Sequence, residues 1–237
     1  MPIPRILRRG GSLAFAAFAA LVLPACADEA PKLLPAPVLD SPASAGGGME
    51  TAVLSGGCFW GMQGVFEHVK GIVQVLAGYS GGAKDTAHYD MVSTGTTGHA
   101  ESVKIMFDPR QISYGGILRV YFSVAHDPTE LDRQGPDTGT QYRSNIFAAD
   151  ETQKRIALAY IRQLEAAHVF GAPIVTRVDS LVAFYPAEGY HQDYLIHHPD
   201  QPYIVDNDLP KIANLKRLYA GLYRAAPVMV GAVHGRF

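Results

Sequence analysis

A short apolar run followed by an apolar series at helical spacing opens the part of the chain that predicts folded structure. Thr51 to Leu54 predicts a buried strand, and Gly56 and Gly57 behind it permit a sharp backbone turn. The helix that follows is expected to end at Gly71. The apolar positions along one face of this helix are Phe59, Met62, Phe66 and Val69. Cys58 is therefore predicted in a turn between a strand and a helix.

The next two apolar stretches have the period of strands. Residues 72–79 are rich in β-formers and end in a glycine loop, and residues 99–107 follow a second glycine loop. The odd-numbered residues of the second stretch share one apolar face, because side chains alternate along a strand. Glu101 lies on that face, where loss of contact with water is expected to raise its pKa. The alternative is a strand-end carboxyl that reaches solvent.

The second half of the chain predicts three more helices and two more short strands. Helical stripes begin near Ile117, near Asp150 and near Asp208. Between them, residues 132–143 predict a long surface loop without periodicity, and residues 174–178 and 181–184 predict two short strands. Residues 185–198 form a loop rich in aromatic residues and histidine. Strands that alternate with helices in a chain of this length indicate a compact α/β sandwich with one main sheet.

The composition fits one sizeable domain and excludes several classes of protein. With 237 residues, 48% of them hydrophobic, the chain can bury a substantial core. A formal net charge of -2 provides no basic field for binding nucleic acid or an anionic membrane surface. The two cysteines, Cys26 and Cys58, are too few for a disulfide scaffold and form no C-x-x-C pair.

The first 27 residues have the organisation of a signal peptide. Arginines at positions 5, 8 and 9 precede an apolar run from Leu13 to Leu23 that is too short to span a bilayer. The segment Leu23-Pro24-Ala25-Cys26 is similar to the lipobox of bacterial lipoproteins, although Pro24 is unusual there, and Ala25-Cys26-Ala27 fits an A-x-A cleavage site. We expect export to the bacterial cell envelope, either as a soluble periplasmic protein or as a lipoprotein with a lipid anchor at Cys26.

The remaining chain divides into three parts. Residues 28–49 are rich in proline and glycine and contain little that could pack, so they predict a linker. Residues 50–226 predict the folded domain, which has an ordinary single-domain size. Residues 227–237 form a tail without cysteine.

Cys58 is the first candidate for chemistry. A thiol at a helix N-terminus faces free N–H groups and the positive end of the helix dipole, which favour the thiolate. A fall of about two pKa units, or roughly 2.7 kcal/mol, would make most of the thiol ionised at pH 7. The alternative is an inert cysteine that behaves as a small buried hydrophobe.

Other functional hypotheses compete with a reactive Cys58. Residues 78–82 match the G-x-S-x-G elbow of serine hydrolases, but no helical stripe follows them. Cys58, His191 and Asn207 have the order and separation found in papain-like cysteine hydrolases, without the local cysteine signature. A metal site at His191, His197 and His198 matches no standard ligand spacing. A binding module with aromatic loops is the non-enzymatic alternative.

Five motifs in order give the chain a resemblance to a known family. The chain closely resembles the A-type peptide methionine-S-sulfoxide reductases, and the motifs extend over roughly residues 53–204. The motifs are Gly57-Cys58-Phe59-Trp60-Gly61, Gly78-Tyr79-Ser80-Gly81-Gly82, Gly98-His99-Ala100-Glu101, Gly139-Thr140-Gln141-Tyr142-Arg143-Ser144 and the run from Phe184 to Tyr194.

The resemblance implies a fold and a reaction. The implied fold is an α/β (α+β) two-layer sandwich, a single mixed-sheet domain with a ferredoxin-like core and long functional loops. The implied activity is that of a peptide-methionine (S)-S-oxide reductase, which repairs free or protein-bound methionine-S-sulfoxide after oxidative damage. The resemblance implies thiol chemistry with no metal and no organic cofactor.

The resemblance also implies roles for individual residues. Cys58 would attack the sulfoxide sulfur and become a sulfenic acid, and Glu101 would donate a hydrogen bond or proton to the oxygen, with support from Asp137. Tyr89 and Tyr142 would assist at the oxygen. The residues expected to bind the substrate are Phe59, Trp60, His191 and Tyr194. Sulfoxide oxygen is a strong acceptor, so a neutral carboxylic acid and phenols are suitable partners, and burial next to aromatic residues keeps a glutamic acid neutral.

The C-terminal tail differs from the common pattern of this family. Many relatives have one or two recycling cysteines there, whereas residues 225–237 have none. Acylation or cleavage would leave no usable thiol at Cys26, and the predicted linker would also separate it from Cys58. We therefore expect a monomer whose sulfenic acid is reduced by an external thiol, either a thioredoxin-like protein or a small thiol.

Overall fold

The computed structural model describes residues 1, 30–41 and 48–233. The signal peptide and Cys26 lie outside these residues. The strands in the described part are β1 Glu50–Ser55, β2 Ile72–Ser80, β3 Ala100–Phe107, β4 Arg133–Gln134, β5 Asp137–Thr138, β6 Asn145–Ala148, β7 Arg177–Ser180 and β8 Phe184–Pro186. The α-helices there are α1 Phe59–Glu67, α2 Tyr89–Val92, α3 Tyr114–Val120, α4 Glu151–Ala166, α5 Tyr194–His197 and α6 Leu209–Leu218.

Six strands form one mixed sheet in the order β7-β6-β1-β3-β2-β8. β1 pairs antiparallel with β3 and β6, and β3 pairs antiparallel with β2. The unit β1-α1-β2-β3-α3-β6 therefore places its fourth strand beside the first and its third beside the second, which is the ferredoxin-like arrangement. β7 extends the sheet parallel to β6, and β8 pairs antiparallel with β2. The predicted α/β sandwich with a ferredoxin-like core is confirmed.

The main core lies between the sheet and the helices. Strand alternation directs Ala52 and Leu54 of β1 into this core, while Val53 joins a small cluster on the opposite face. α1 packs against β2 and β3, and α4 packs against β6 and β7. The cap of α4 is formed by Asp150, whose side chain accepts hydrogen bonds from the first-turn N–H groups of Thr152 and Gln153, both at 2.8 Å.

Two local predictions are wrong. α1 ends at Glu67, and Gly71, with a φ of +88°, turns the chain into β2. Residues 132–143 do not form an irregular surface loop: they contain the hairpin of β4 and β5 and a 3-10 turn, Thr140–Tyr142. The buried Gln134 side chain holds this segment by accepting from the N–H of Asp127 and donating to its carbonyl. A buried glutamine is stable here because its side-chain amide bonds to both the N–H and the carbonyl of Asp127.

The segment 30–41 packs against the domain, so the prediction that residues 28–49 contain little that could pack is wrong for these residues. The Leu34 side chain is 1% exposed and belongs to the main core. The carbonyls of the segment accept from side chains of the domain, as Leu34 does from Arg119 Nε at 2.7 Å and Pro35 from Tyr160 OH at 2.8 Å. We call residues 30–41 the N-terminal strap.

Val228 and Val230, in the described part of the C-terminal tail, also bind to the domain. Val228 N–H donates to the Glu67 carbonyl at 3.0 Å, and Val230 N–H donates to the Asp193 carboxylate at 3.1 Å. The tail therefore follows the end of α1. In the described ranges, no helix combines the length and the apolar character needed to cross a bilayer.

Candidate active site

Cys58 precedes the first residue of α1, directly after the turn that leaves β1. The turn requires glycine at position 57, where φ is +89° and a Cβ atom would lie 2.6 Å from Cβ of Gln134. Gly57 N–H also donates to the carbonyl of Tyr142 at 3.1 Å. The predicted location of Cys58 between a strand and a helix is confirmed, and the turn joins the cysteine to the segment that contains Tyr142.

The expected lowering of the Cys58 pKa by the helix N-terminus is not what the structure favours. The residue is 7% exposed, and burial raises the pKa of its thiol well above the ordinary value. The carboxyls of Glu101 and Asp208 act in the same direction, against smaller opposing effects of the Trp60 N–H and of Lys211. The helix N-terminus stabilises the thiolate less than expected, because the first N–H of the helix, that of Phe59, donates to Glu101 instead of to the thiol. Desolvation therefore exceeds the effect of the helix dipole.

Glu101 lies on β3 directly beside the first turn of α1. Its side chain is 2% exposed, and its Oε2 accepts from Phe59 N–H at 3.0 Å. Burial raises the pKa of this carboxyl to about 8, with the Phe59 N–H opposing and the charge of Asp137 reinforcing the rise. The expected rise in pKa is confirmed. Glu101 is consequently a neutral acid at pH 7, and its repulsion of a Cys58 thiolate is largely removed at that pH.

Tyr89 and Tyr142 lie close enough to Glu101 for its charge to affect both phenols. Burial raises the pKa of each phenol, followed in each case by the effect of Glu101, and Cys58 is a further cause for both. These shared electrostatic effects indicate that the two tyrosines, Glu101 and Cys58 belong to one site. The phenols stay protonated at neutral pH and can donate hydrogen bonds.

The aromatic residues predicted to bind substrate form a continuous wall. The Trp60 indole stacks on Tyr194 with ring centroids 3.8 Å apart and an interplanar angle of 10°. The Phe59 ring is buried, with its centroid 4.9 Å from that of His191. The His191 ring also contacts Tyr89, at 4.6 Å. All four predicted residues of the wall are therefore in contact with one another or with the tyrosines.

The hydrogen bonding of His191 defines its protonation and argues against a cysteine hydrolase. The Trp60 indole N–H donates to Nδ1 at 3.2 Å, so the proton of the neutral imidazole lies on Nε2. Burial lowers the pKa of His191, which favours this neutral form. Asn207 donates instead to the carbonyl of Tyr203, at 3.0 Å. His191 is thus part of the aromatic wall and has no partnership with Asn207 of the papain type.

The alternatives of a histidine metal site and a serine nucleophile, which the sequence did not favour, also lack the required geometry. His198 packs against Tyr194, with ring centroids 4.2 Å apart. Throughout residues 30–41 and 48–233, no group of three His, Cys, Asp or Glu side chains is arranged to hold a metal ion. Ser80 ends β2 and is followed by Gly81 with a φ of +99°, and the next helical turn begins only at Lys84.

Sequence reasoning missed two residues that hold the site together. Tyr203 donates a hydrogen bond to Oδ2 of Asp137 and meets the Trp60 ring edge-on at 6.1 Å. Glu188 accepts from Tyr89 N–H and from Tyr79 OH, both at 2.9 Å, and so fixes the start of α2. Glu188 lies inside the fifth motif, which was a usable signal. Tyr203 had none except its place among aromatic residues.

Comparisons with known proteins agree with this geometry. The family profile described as peptide methionine sulfoxide reductase matches residues 50–220. A Mesorhizobium japonicum protein named peptide methionine sulfoxide reductase MsrA 2 is 61% identical over 183 residues, covering 77% of this chain and 94% of the relative. A Synechocystis protein of the same name is 50% identical over 196 residues, covering 82% of this chain and 92% of the relative.

Two solved structures resemble the fold. Methionine sulfoxide reductase A of Corynebacterium diphtheriae has a TM-score of 0.56 at 34% identity, with 72% of this chain and 84% of that chain covered. Mxr1 from Saccharomyces cerevisiae in reduced form has a TM-score of 0.58 at 30% identity, with 64% of this chain and 87% of that chain covered.

Proposed function

The chain belongs to the peptide methionine sulfoxide reductase family, and we propose that it reduces methionine sulfoxide with Cys58 as nucleophile and Glu101 as acid. The reaction is the thiol-dependent reduction of methionine-S-sulfoxide to methionine. The observation that supports these roles best is the neutral acid Glu101 beside Cys58, bound to the first N–H of the helix that the cysteine begins.

In the first half-reaction, the sulfur of Cys58 attacks the sulfoxide sulfur and the sulfoxide oxygen is protonated. The products are methionine and Cys58 sulfenic acid, so the thiol is oxidised by two electrons and the sulfoxide is reduced by two. Because the resting thiol is protonated, we propose that its proton leaves as the sulfoxide oxygen gains one. In this proposal, polarisation of the sulfoxide promotes the attack by the Cys58 sulfur, which the helix N-terminus does not activate.

The hydrogen bond from Phe59 indicates which oxygen of the proposed acid can carry its proton. Oε2 of Glu101 accepts from Phe59 N–H, so the second oxygen is the one suited to carry the O–H and donate it. Tyr89 and Tyr142 are proposed to donate further hydrogen bonds to the sulfoxide oxygen. Asp137 is proposed to act through Tyr203, to which it is hydrogen-bonded. Phe59, Trp60, His191 and Tyr194 are proposed to hold the methyl group and side chain of the substrate.

In the second half-reaction, an external thiol reduces the sulfenic acid. Attack by RSH on Cys58 sulfenic acid gives a mixed disulfide and water, and a second thiol releases Cys58 as the free thiol. The proposal is supported by the absence of any cysteine after Cys58 in the sequence. The proposed reductant is a thioredoxin-like protein or a small thiol, and the proposed cycle uses no metal or organic cofactor.

The proposed location is the bacterial cell envelope, with the chain acting as a monomer. The support for export is the basic start and the apolar run of residues 13–23, followed by the cleavage patterns around Cys26. Fusion of residues 1–49 to a reporter that is active only in the periplasm tests export. Labelling of the full-length chain with a fatty acid distinguishes a lipid anchor at Cys26 from simple cleavage.

The position of the N-terminal strap changes one argument about Cys26. A free tether was expected between the two cysteines, but Ala30 and Pro31 line the same cavity as Cys58. Cys26 precedes Ala30 by only four residues, about 14 Å of extended chain at most. A test of the one-cysteine cycle must therefore use the mature chain that lacks Cys26, or the variant Cys26→Ser.

The experiment exposes this chain to excess methionine-S-sulfoxide without reductant. We expect the release of about one methionine per chain, a gain of one oxygen in mass and a dimedone adduct at Cys58. Reversed-phase analysis measures the methionine, and intact mass spectrometry measures the adduct. Cleavage of a peptide substrate would contradict the proposal, and so would failure to release methionine.

A further inference from the structure

The Tyr194 side of the aromatic wall is attached to α1 through the residue before it, Asp193. Tyr194 stacks on Trp60, with ring centroids 3.8 Å apart. One turn further along α1, the Gln63 side chain accepts from Asp193 N–H at 2.9 Å. Two neighbouring positions on one face of α1 therefore hold two consecutive residues of the loop, because residues three apart on a helix lie side by side. The position of the Tyr194 ring depends on the backbone of Asp193.

Asp193 has a backbone conformation that most residues avoid. Its φ is +55° and its ψ is 26°, in the left-handed region. A residue with a Cβ atom adopts this conformation at a cost in free energy, so it persists only where the surrounding contacts fix it. The Asp193 carbonyl accepts from the N–H groups of Ile196 at 3.0 Å and His197 at 3.1 Å, so the same residue sets the start of α5.

The C-terminal tail holds the Asp193 side chain. Asp193 is 7% exposed, and a carboxyl buried to this extent requires hydrogen-bond donors. Val230 N–H lies 3.2 Å from its Oδ1 and 3.1 Å from its Oδ2, and Gln63 Nε2 lies 3.5 Å from its Oδ1. Within residues 30–41 and 48–233, the tail thus supplies the shortest hydrogen bonds to this carboxyl. The donor is the first residue of the 3-10 turn Val230–Val233.

We propose that Val230 and Asp193 are positioning residues for substrate binding. The N–H of Val230 holds Asp193 in its left-handed conformation, and Asp193 in turn keeps Tyr194 stacked on Trp60. This inference rests on the proposed function, because the aromatic wall is the proposed binding site for methionine sulfoxide. Neither positioning residue touches the substrate. Loss of the contact is therefore expected to weaken substrate binding and to leave the reaction of bound substrate unchanged.

A pair of substitutions at position 230 tests the contact. Val230→Pro removes the N–H, and proline is tolerated at the first position of a helical turn. Val230→Ala keeps the N–H and shortens only the side chain. We expect Val230→Pro to raise the half-saturating concentration of methionine-S-sulfoxide in single-turnover kinetics at least about threefold, with a maximal rate within about twofold of the parent. Val230→Ala should match the parent.

Two results at position 230 would overturn the proposal. One is the same half-saturating concentration in Val230→Pro and Val230→Ala. The other is a lower maximal rate in Val230→Pro with an unchanged half-saturating concentration, because the tail would then act on the reaction step and not on binding.

A pair of substitutions at position 193 tests the other side of the contact. Asp193→Asn keeps an oxygen that can accept from Val230 N–H, and asparagine tolerates the left-handed region. Asp193→Gly adopts the same backbone conformation but has no acceptor. We expect Asp193→Asn to retain the parent's half-saturating concentration and Asp193→Gly to raise it as Val230→Pro does. A double variant with Asp193→Gly and Val230→Pro should show no further rise. Independent, multiplying effects of the two substitutions would contradict the proposed chain of contacts.

The fluorescence of Trp60, the single tryptophan of the chain, provides a measurement that needs no turnover. Because Tyr194 stacks on this indole, Val230→Pro should change the Trp60 emission of the resting protein, and Val230→Ala should not. If the parent releases no methionine, the proposed function fails whatever Trp60 shows. If it does release methionine but the two Val230 variants agree in half-saturating concentration and in emission, this inference alone fails.

Discussion

A buried carboxylic acid lies at each end of α1, Glu101 from β3 beside its start and Glu67 as its last residue, and only Glu101 is proposed to take part in the reaction. At the N-terminal end, Glu101 lies beside Cys58 and accepts from the N–H of Phe59. At the C-terminal end, Glu67 is 1% exposed, and neither of its carboxyl oxygens receives a hydrogen bond from a fixed donor. Burial raises the pKa of Glu67 to about 9, and the carboxyl of Asp193 reinforces the rise. The two sites are about 12 Å apart along the helix axis.

Burial raises the pKa of both glutamates, so a raised pKa alone does not identify the catalytic acid. The difference lies in what the proton faces. Glu101 lies beside the nucleophile Cys58, whereas the carboxyl oxygens of Glu67 are buried without a hydrogen-bond partner among the described residues. Val230 N–H donates to the Asp193 carboxylate, so the C-terminal tail covers the second site. The comparison shows that a raised pKa does not by itself distinguish a catalytic carboxyl from a structural one. The group to which the carboxyl can pass its proton makes the distinction.

Cys58→Ser is expected to have the largest effect, because it removes the nucleophile from the N-terminal end of α1 and leaves the carboxyls in place. An alcohol cannot replace the sulfur in a redox step, and the two side chains are nearly isosteric. We expect turnover to disappear while the melting temperature stays close to that of the parent. Methionine release in the presence of dithiothreitol measures the effect. More than about a tenth of the parent activity would contradict the role of Cys58.

Glu101→Gln is expected to slow methionine release roughly 10²- to 10⁴-fold, the usual loss for a positioned general acid. The amide oxygen can still accept from Phe59 N–H, so the first turn of α1 should be preserved. Single-turnover kinetics measure the change without interference from recycling. A variant with the parent's rate at pH 7 would show that Glu101 is structural.

The pH dependence of the same step sharpens this result. With a pKa of about 8, Glu101 loses its proton as pH rises through that value. The parent's single-turnover rate should therefore fall above about pH 8, and Glu101→Gln should lack this fall.

Glu67→Gln is expected to have the smallest effect on activity, with a single-turnover rate within about threefold of the parent, because the site at the C-terminal end contacts no reacting group. Its effect should appear in stability. The native pKa of Glu67 is raised above the ordinary 4.5, so above that pH the native state binds a proton that the unfolded state has lost. The free energy of unfolding of the parent therefore falls as pH rises from 4.5 toward the raised pKa.

Glu67→Gln removes this dependence, so its slope should be shallower by at most about 1.4 kcal/mol per pH unit. Urea unfolding at a series of pH values measures the slope. Glu101→Gln should show a shallower slope of the same sign up to about pH 8, combined with the loss of activity. If Glu67→Gln lost activity as strongly as Glu101→Gln, the distinction between the two ends of α1 would be wrong.

The sequence predicted those parts of the site that belong to long periodic elements. Cys58 was placed correctly because a strand, two glycines and a helical stripe surround it, and Glu101 because alternation along β3 defines its face. Local pattern could not give the state of the thiol. Whether the dipole or desolvation dominates depends on side chains that arrive from elsewhere in the chain, among them Glu101 and Asp208.

The remaining site residues could be identified only through the family resemblance, and Tyr203 not at all. Tyr89 begins a helix of four residues, Asp137 begins a strand of two and Tyr142 ends a 3-10 turn of three. Elements of this length have no periodicity to detect. The N-terminal strap escaped prediction for a different reason. Many of its contacts are made by backbone N–H and carbonyl groups, which composition does not report.

The N-terminal strap also sets an order of events during folding. Its backbone N–H groups reach partners that are made much later: Val38 binds Gln163, 125 residues away, and Leu34 binds Tyr219, 185 residues away. The strap emerges early during synthesis but is among the last parts to become fixed, because Tyr219, the partner of Leu34 N–H, follows α6. Contacts of such long range carry a large loop-closure cost and slow the final step of folding. Once that step is complete, the two ends of the domain are fastened to each other.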